Sequence, residues 1–275
     1  FYEETKVTSI EKTKDGWKIT TQKGEHSHVT LAKFIVGADG DHSVVLRALG
    51  ERQIDRRHYA GTVRIYHKNM AGGHRKNPIE IYMPPRLPMS YFYMFPLANN
   101  ETNVGFGMVS EIISKHKINL RETFLNLMKT DPVLRPRFEG AEALENPIGY
   151  GIPLASRQRK THGDGWILLG DAASMVSPAS GEGIGTGMFS GLIAAEFIER
   201  AVETNDFSEK TFKHFDREIY RRLMSEIYSY KFMMAIKPYK TWDWAIKSFT
   251  HSWPVRQICA EIHSAGSCFD GSFRP

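Results

Sequence analysis

Apolar and polar residues alternate along much of the chain, which predicts β-strands. The run FYEETKVTSIEKTKDGWKITTQKG (residues 1–24) alternates in this way, with Asp15-Gly16 and Lys23-Gly24 as turn signals. It predicts an antiparallel meander. Four further runs follow between residues 61 and 109, namely GTVRIYHKN, IEIYM, MSYFYMFPL and TNVGFGMVS. Gly, Asn and Pro separate them, so we expect a second antiparallel sheet.

Other segments have apolar residues three to four positions apart, as in helices. Residues 118–130 and 184–202 follow this spacing. From residue 207 onwards one apolar stripe is formed by Phe212, Phe215, Ile219, Leu223 and Ile227. Short buried strands are also predicted at 34–36 and 167–169, and a further strand at 149–154. Strands and helices are therefore mixed, which indicates an α/β (α+β) protein.

Composition narrows the class of protein. A chain that is 41% hydrophobic and 24% charged is typical of a soluble globular protein. We find no apolar run of about 18 residues and no signal-peptide pattern. The net charge of +5 is mild and lacks a dominant Lys/Arg block, which argues against a nucleic-acid partner. Two cysteines, Cys259 and Cys268, fit a reducing cytoplasm, and the histidines show no zinc-like spacing, so we expect no metal.

The first candidate motif is LAKFIVGADGDHSVVLRALG, residues 31–50. A buried strand leads into the Gly-Asp-Gly turn at Asp39 and Gly40, and a short helix follows with Ser43 as its N-cap. Backbone N–H groups at such a helix start can bind an anion. An ordinary strand–turn–helix unit is the alternative interpretation of this segment alone.

The second candidate motif is GDAASMVSPASGEGIGTG, residues 170–187. Asp171 follows a strand and can accept hydrogen bonds from ligand hydroxyls. The loop from Gly181 to Gly183 supplies N–H groups at a helix start, where the helix dipole favours negative charge, and Pro178 stiffens the loop. These features predict a ligand with hydroxyls, a phosphate and an electron-rich ring edge, such as a flavin dinucleotide.

The strand PMSYFYMFP (88–96) carries aromatic residues on alternate positions. Alternation puts Tyr91, Tyr93 and Phe95 on one face and Phe92 and Met94 on the other. The aromatic face is either core packing or the wall of an apolar pocket with phenol groups at its polar end.

These motifs together resemble the flavoprotein superfamily of p-hydroxybenzoate hydroxylase, most closely its geranylgeranyl reductase branch. GADGDHSVVLRALG resembles the family's second FAD motif, and WILLGDAASMVSPASGEGIGTGMFSGLIAAE resembles its third. PMSYFYMFP is similar to the reductase signature P-x-x-Y-x-W-x-F-P, with Tyr93 in place of Trp. The resemblance implies the p-hydroxybenzoate hydroxylase-like FAD-binding fold, with an antiparallel-sheet substrate domain and a C-terminal helical region.

The resemblance also implies site residues. Asp171 would contact the ribityl chain of FAD, and Gly183 and Ile184 would offer N–H groups to the ring oxygen. Asp39 and Gly40 would support the pyrophosphate region, and Val7 would lie by the adenine. Three further residues complete the expected FAD site: Gly170, Pro178 and Gly181. The expected substrate wall consists of Tyr91, Tyr93, Phe95 and Pro96. No catalytic side chain is predicted.

Four regions follow from this layout. Residues 1–50 and 161–205 would belong to the FAD-binding domain, 51–160 to the substrate domain, and 206–275 to the helical region. The family's N-terminal G-x-G-x-x-G unit, which holds the ADP half of FAD, has no counterpart here. We therefore expect a segment that precedes Phe1.

The implied activity is that of an FAD-dependent oxidoreductase that reduces C=C bonds of a prenyl, lipid or other apolar substrate. Its reductant, NAD(P)H, ferredoxin or another donor, stays open. The alternatives are an FAD-dependent monooxygenase or halogenase on the same fold, and a non-catalytic module. The basic tail with Trp242, Trp244 and Trp253 suits either packing on the core or peripheral membrane contact by a cytoplasmic protein.

Overall fold

The computed structural model describes residues 1–51, 54–72 and 79–235. Within these ranges the chain forms three β-sheets and six α-helices. Two buried clusters hold the sheets and helices together. One lies around the third sheet and the two longest helices, and the other lies beneath the second sheet.

The first sheet is the predicted antiparallel meander, in the order β1-β2-β3. Its strands are β1 (Lys6–Thr13), β2 (Gly16–Lys23) and β3 (His26–Ala32). Buried Trp17 ties this sheet to the rest of the chain, because its indole Nε1 donates to the Gly165 carbonyl at 2.7 Å.

The second sheet is antiparallel throughout, in the order β10-β5-β8-β7-β6, with β9 beside β5. Its strands are β5 (Tyr59–Lys68), β6 (Glu80–Tyr82), β7 (Ser90–Pro96), β8 (Glu101–Val109), β9 (Glu142–Ala143) and β10 (Ile148–Pro153). Asn99 and Asn100 form the expected β7–β8 turn, with φ angles of 58° and 59°. The predicted second sheet is thus confirmed.

Three helices accompany this sheet: α2 (Ser110–Lys115), α3 (Leu120–Thr130) and α4 (Arg135–Phe138). Side chains of α3 pack into a cluster with one face of the sheet, where Phe92, Phe106 and Phe124 are fully buried. The other face of the sheet carries the aromatic residues of β7 described below.

The third sheet joins the two candidate motifs. Its strands are β4 (Ile35–Gly37), β11 (His162–Gly163) and β12 (Trp166–Leu168), in the order β11-β12-β4. β12 and β4 are parallel, with Leu168 opposite Gly37. Since parallel strands end at the same edge, the turns after both strands meet there.

The remaining helices are α1 (Val44–Ala48), α5 (Ile184–Thr204) and α6 (Phe215–Ala235). The predicted stripe on α6 and just before it is buried, as shown by Phe212, Phe215, Ile219, Leu223 and Ile227. On α5 the helical spacing is confirmed, but the leading apolar residues do not face the core. Ile184, Met188 and Leu192 are 80%, 64% and 53% exposed, whereas Ile193 and Ala194 are buried.

Several residues of the expected C-terminal region lie outside the described residues: Trp242, Trp244, Trp253, Cys259 and Cys268. In the described part of the chain, none of the helices combines the length and apolar character needed to cross a bilayer.

Candidate cofactor and substrate site

The turn after β4 is held by its own acidic residue. Asp39 Oδ2 accepts hydrogen bonds from the N–H groups of Val44 (2.6 Å) and Val45 (3.3 Å) at the start of α1. Ser43 caps the same helix as predicted, since its Oγ accepts from Leu46 N at 2.9 Å. Gly40 has a φ of +77°, a conformation that suits glycine. The Asp39 carboxylate therefore orders this turn; its predicted role beside FAD stays a prediction.

The turn after β12 is packed against α5 through glycines. Gly170 has a φ of +53°, and a Cβ atom on it would lie 3.6 Å from Gly187 Cα. Its N–H donates to Ser190 Oγ at 3.1 Å, and Ser190 Oγ donates to the Gly187 carbonyl at 2.7 Å. The start of α5 is thereby fixed against the turn that carries Asp171.

The loop between this turn and α5 folds back on itself. Ser177 N donates to the Glu182 carbonyl at 2.7 Å, Gly181 N donates to the Ser177 carbonyl at 2.9 Å, and Pro178 is buried. Gly183 is the N-cap of α5, and a Cβ atom on it would lie 3.5 Å from Asp171 Oδ1.

The Asp171 carboxylate therefore adjoins the first turn of α5. The N–H groups of a first turn have no acceptor within the helix, and the dipole makes this end positive. The structure thus places Asp171 beside Gly183 and the start of α5, and the contacts of Asp171, Gly183 and Ile184 with FAD stay a prediction.

Sequence analysis missed two residues at this edge, Asp41 and Tyr59. The Tyr59 hydroxyl donates to Asp41 Oδ2 at 2.5 Å. Burial raises the pKa of Tyr59, and the hydrogen bond to Asp41 raises it further. Burial also raises the pKa of Asp171, and the negative charge of Asp41 adds to this. Tyr59 opens β5 and Asp41 lies in a loop, so no sequence periodicity connects them.

The residues at this edge fit a flavin dinucleotide. The Oδ1 atom of Asp41 is buried and has no hydrogen-bond partner within the described residues, so it can accept from a ligand hydroxyl. The first turn of α5 offers the N–H groups of Gly183 and Ile184 as donors, while the Gly185 N–H donates to Glu182 Oε1. A carboxylate acceptor and a set of N–H donors therefore lie at one edge. We call this edge, formed by Asp41, Asp171, Gly183 and Ile184, the cradle.

The aromatic strand has the predicted alternation. Phe92 and Met94 of β7 are buried against the helices, while Tyr91, Tyr93 and Phe95 are half-buried on the other face. Those three lie outside both buried clusters. Neighbouring ring centroids are 6.3 Å apart for the two tyrosines and 4.5 Å apart for Tyr93 and Phe95, forming a continuous wall. Pro96 ends the strand, half-buried.

Tyr93 lies flat on the neighbouring strand. A Cβ atom on Gly105 would lie 2.2 Å from Tyr93 Cζ, so the ring covers this glycine. Its phenol is neutral at neutral pH, and burial raises the pKa of Tyr93 further, to about 12. A neutral phenol can donate a hydrogen bond to an oxygen atom of a ligand.

An arginine on the same face was also missed. Arg64 lies opposite Gly105 of β8 and forms an ion pair with Glu145. Both side chains of this pair are largely buried, with exposed fractions of 21% for Arg64 and 28% for Glu145. Its Nη2 donates to the Tyr150 hydroxyl at 3.2 Å, and its guanidinium lies 4.4 Å from the centre of the Tyr66 ring. The charge of this strand residue therefore lies among aromatic rings.

The aromatic wall contacts the glycine-rich loop directly. The Tyr91 hydroxyl donates to the Ser180 carbonyl at 2.9 Å. A Cβ atom on Gly181 would lie 2.3 Å from the Tyr91 hydroxyl oxygen, so the loop needs a glycine at this contact. The two sets of predicted residues therefore adjoin. Val7 is half-buried on β1, a strand that packs against α1, and its place by the adenine stays a prediction.

The chain matches a known protein family. Residues 1–195 match the family model described as the FAD binding domain. The chain belongs to this family. The match confirms FAD as the predicted cofactor.

The relatives extend the match. The chain is 28% identical over 237 residues to a digeranylgeranylglycerophospholipid reductase of Methanococcus vannielii. The aligned part covers 86% of this chain and 57% of that protein, so the chain spans little more than half its length. The predicted resemblance to the geranylgeranyl reductase branch is confirmed.

Solved structures agree on the fold. A geranylgeranyl bacteriochlorophyll reductase-like protein of Thermoplasma acidophilum has a TM-score of 0.75 at 18% identity, covering 94% of this chain and 69% of that one. The flavin-dependent brominase Bmp2 has a TM-score of 0.70, also at 18% identity, covering 99% and 67%. At such identities the likeness concerns the fold alone, and it confirms the predicted FAD-binding fold.

Proposed function

We propose that this protein is an FAD-dependent oxidoreductase that reduces C=C bonds of a prenyl or other apolar lipid substrate. The observation that carries the proposal is the contact between the Tyr91 hydroxyl and the Ser180 carbonyl. It joins the wall of half-buried aromatic rings to the loop that begins at the Asp171 turn. A ligand held on the cradle and an apolar ligand held on the wall would therefore lie next to each other.

The cofactor half of this proposal assigns roles to the cradle. Asp171 would accept hydrogen bonds from the ribityl hydroxyls, and the N–H groups of Gly183 and Ile184 would bind the ring oxygen. Bound FAD supplies the hydride chemistry, which the protein itself lacks. The Asp39–Gly40 turn would support the pyrophosphate region. We assign residues 1–50 and 161–205 to this half.

The substrate half, residues 51–160, would hold the apolar chain on the wall of Tyr91, Tyr93, Phe95 and Pro96. Aromatic rings bury a large apolar area, and a half-buried wall retains surface that a ligand can cover. The relative's name includes a lipid with prenyl chains, which supports a substrate of this class. A protein that acts on such a lipid would work at a membrane surface, in line with the predicted peripheral contact.

Arg64 supplies a polar point within this wall. Its guanidinium is paired with Glu145 and flanked by Tyr66 and Tyr150, so it is held in place before a ligand arrives. A substrate with an anionic or oxygenated end would be oriented by it, while a wholly apolar chain would contact only the rings.

A second candidate is an FAD-dependent halogenase or monooxygenase, and the likeness to the brominase fold favours it. The two activities differ in their use of oxygen. We expect the reduced full-length protein to be reoxidised anaerobically by prenyl alkenes, with one saturated bond formed for each flavin oxidised. Reoxidation that needs oxygen and yields a hydroxylated or halogenated product would favour the second candidate. A purified full-length protein without flavin absorbance would favour a non-catalytic module.

A further inference from the structure

A cleft of about 670 Å³ lies beside the start of β5, outside the site described above. It is bounded by the 3-10 turn Arg56–His58, by α2, and by the loop that follows β10. Charged side chains dominate its lining. The four cationic residues are Arg56, Arg57, Lys115 and Arg157, against two carboxylates, Asp55 and Glu111, which leaves an excess of two positive charges.

The two carboxylates occupy only part of the donor capacity. Arg157 Nη1 lies 3.0 Å from Asp55 Oδ2, and Arg57 Nε lies 3.4 Å from Glu111 Oε1. Each guanidinium carries five N–H donors. Each of these two arginines therefore retains donors that can turn towards a ligand in the cleft.

The other two cations have no acidic partner here. Arg56 Nη1 donates to the neutral Ser114 hydroxyl at 2.7 Å. Across residues 1–51, 54–72 and 79–235, no carboxylate lies within ion-pair distance of Lys115, whose side chain is exposed at the end of α2. The excess positive charge is thus available at one rim of the cleft.

Charged residues of the cleft also act on a neighbouring histidine. Burial lowers the pKa of the His58 imidazole, and Asp55 partly opposes this. Three guanidinium groups lower it further, those of Arg157, Arg159 and Arg57. The His58 imidazole therefore senses both the acidic and the basic residues around the cleft.

Consecutive residues connect the cleft to the candidate FAD site along the chain. His58 Nδ1 is hydrogen-bonded to Ser156 Oγ at 2.7 Å, which links the 3-10 turn to the loop that carries Arg157. The next residue is Tyr59, whose hydroxyl binds Asp41 at the candidate FAD site. The residue that follows His58 in the chain thus belongs to the candidate FAD site, whereas the residues that line the cleft do not.

We propose that this cleft binds the phosphate ester of a second ligand. A phosphate group presents several anionic oxygens to guanidinium forks and to a lysine, the donors found here. The ester could belong to a lipid headgroup or to a soluble dinucleotide reductant. Both share the chemistry that the cleft recognises. The assignment does not depend on the proposed reductase activity.

The experiment measures binding of inorganic phosphate to the full-length protein by calorimetry at low salt. We expect the double substitution Arg157→Gln and Lys115→Gln to weaken binding at least about tenfold, since each charge-assisted hydrogen bond lost is worth that much or more. The control, Lys23→Gln with Lys129→Gln, removes the same charge from exposed positions elsewhere and should bind as the parent does.

A third variant guards against mere misfolding. Asp55→Asn removes a competing charge, yet its amide oxygen can still accept from Arg57 N as Asp55 Oδ1 does at 3.2 Å. We expect tighter phosphate binding, because Arg157 is released. Weaker binding by this variant, or equal binding by the double variant and its parent, would overturn the proposal.

Two further ligand assays identify the source of the ester. Vesicles of phosphatidylglycerol, compared with phosphatidylcholine, test the headgroup, and NADPH compared with NADH tests a dinucleotide phosphate. Competition of inorganic phosphate with phosphatidylglycerol vesicles or with NADPH supports the cleft as a binding site for a phosphate ester. Binding of phosphate without competition from either probe would refute it.

Discussion

The Tyr59 hydroxyl donates a hydrogen bond of 2.5 Å to Oδ2 of Asp41 and leaves the other oxygen of this carboxylate buried. The negative charge of Asp41 also acts on Asp171. Burial is the larger cause of the raised pKa of Asp171, and the charge of Asp41 adds to it. Two carboxylates and a phenol from three separate segments therefore meet at the edge where β4 and β12 end. Buried carboxylates that lie close together lower the stability of the folded chain unless a ligand forms hydrogen bonds with them. Such groups are typical of a binding site.

Asp171→Asn tests this cost. A raised pKa means that folded Asp171 holds its proton to higher pH than the unfolded chain does. Its ionisation therefore lowers stability as the pH rises from the ordinary carboxyl range through the raised value. We expect the flavin-free variant to unfold at equal or higher urea than the parent at neutral pH. Flavin occupancy should fall, because a hydrogen bond to a charged group is worth about 1.5–3 kcal/mol.

The matched control for Asp171→Asn is Glu25→Gln, which removes an exposed carboxylate from the first sheet and should change neither quantity. Flavin absorbance per mole of purified full-length protein gives the occupancy, and urea titration gives the stability. Occupancy equal to that of the parent would remove Asp171 from the FAD site.

Gly181→Ala should disturb the contact between the loop and the aromatic wall. Gly181 has a φ of +75° and Gly140 has a φ of +80°, so alanine at either position costs about 1–2 kcal/mol of backbone strain. Only at 181 would the new Cβ atom lie 2.3 Å from the Tyr91 hydroxyl oxygen, whereas Gly140 has open space. We expect Gly181→Ala to lose more stability than Gly140→Ala in urea titration.

A double-mutant cycle isolates this contact. In a Tyr91→Phe background the nearest ring atom, Cζ, would be 3.4 Å from the Cβ atom, which is ordinary contact. Gly181→Ala should therefore cost less there than in the parent, by roughly the 0.5–1.5 kcal/mol of one hydrogen bond. Equal costs in both backgrounds would show that Tyr91 does not press on the loop.

The exposed side of α5 should drive self-association of the 275-residue chain. Met188 and Leu192 are 64% and 53% exposed on one stripe, and β4 pairs only with β12 among the described strands. An exposed apolar stripe and an unpaired strand edge each promote association. We expect Met188→Ser with Leu192→Ser to increase the monomer fraction in size-exclusion chromatography with light scattering.

A suitable control on the same helix is Val202→Ser, since Val202 is 61% exposed but lies two turns or more from the stripe. It should leave the monomer fraction unchanged. If the double variant also associates as the parent does, the stripe is not the surface responsible.

Local sequence patterns predicted the elements well but their tertiary use only in part. Period-two alternation gave the correct face for each residue of β7, because a strand that is buried on one side imposes it. The two glycine-rich motifs could also be placed at strand ends, because each directly follows a short apolar run in the sequence. Their proximity depends on the parallel pairing of β4 with β12, which no local pattern predicted.

Three features of the site required the folded chain. The Asp41–Tyr59 hydrogen bond joins a loop to a strand 18 residues later. Arg64 occupies a polar position of the alternation, yet Glu145 and the rings of Tyr66 and Tyr150 surround its charge. On α5 the apolar spacing fixes the helix, while the packing of α6 decides which apolar side faces inwards.

Substitutions of Tyr93 test the substrate wall. Tyr93→Trp adds apolar area and removes the phenol, so we expect turnover to shift towards longer, fully apolar prenyl chains. Tyr93→Phe removes only the hydroxyl, which is neutral at neutral pH and whose pKa burial raises further, to about 12. It should weaken binding of oxygenated alkenes by roughly 0.5–1.5 kcal/mol and spare wholly apolar ones. The measurement is anaerobic reoxidation of the reduced full-length protein by a panel of both alkene classes.

Gly105→Ala provides the opposite case for the same wall. Its Cβ atom would lie 2.2 Å from Tyr93 Cζ, so the ring must leave its position over β8, and both classes of alkene should react more slowly. Tyr2→Phe removes a phenol that is 87% exposed and should match the parent throughout. If Tyr93→Trp and Tyr93→Phe also match the parent across the panel, the half-buried rings do not contact the substrate. The assignment of the wall would then fail, even if the FAD site beside it holds.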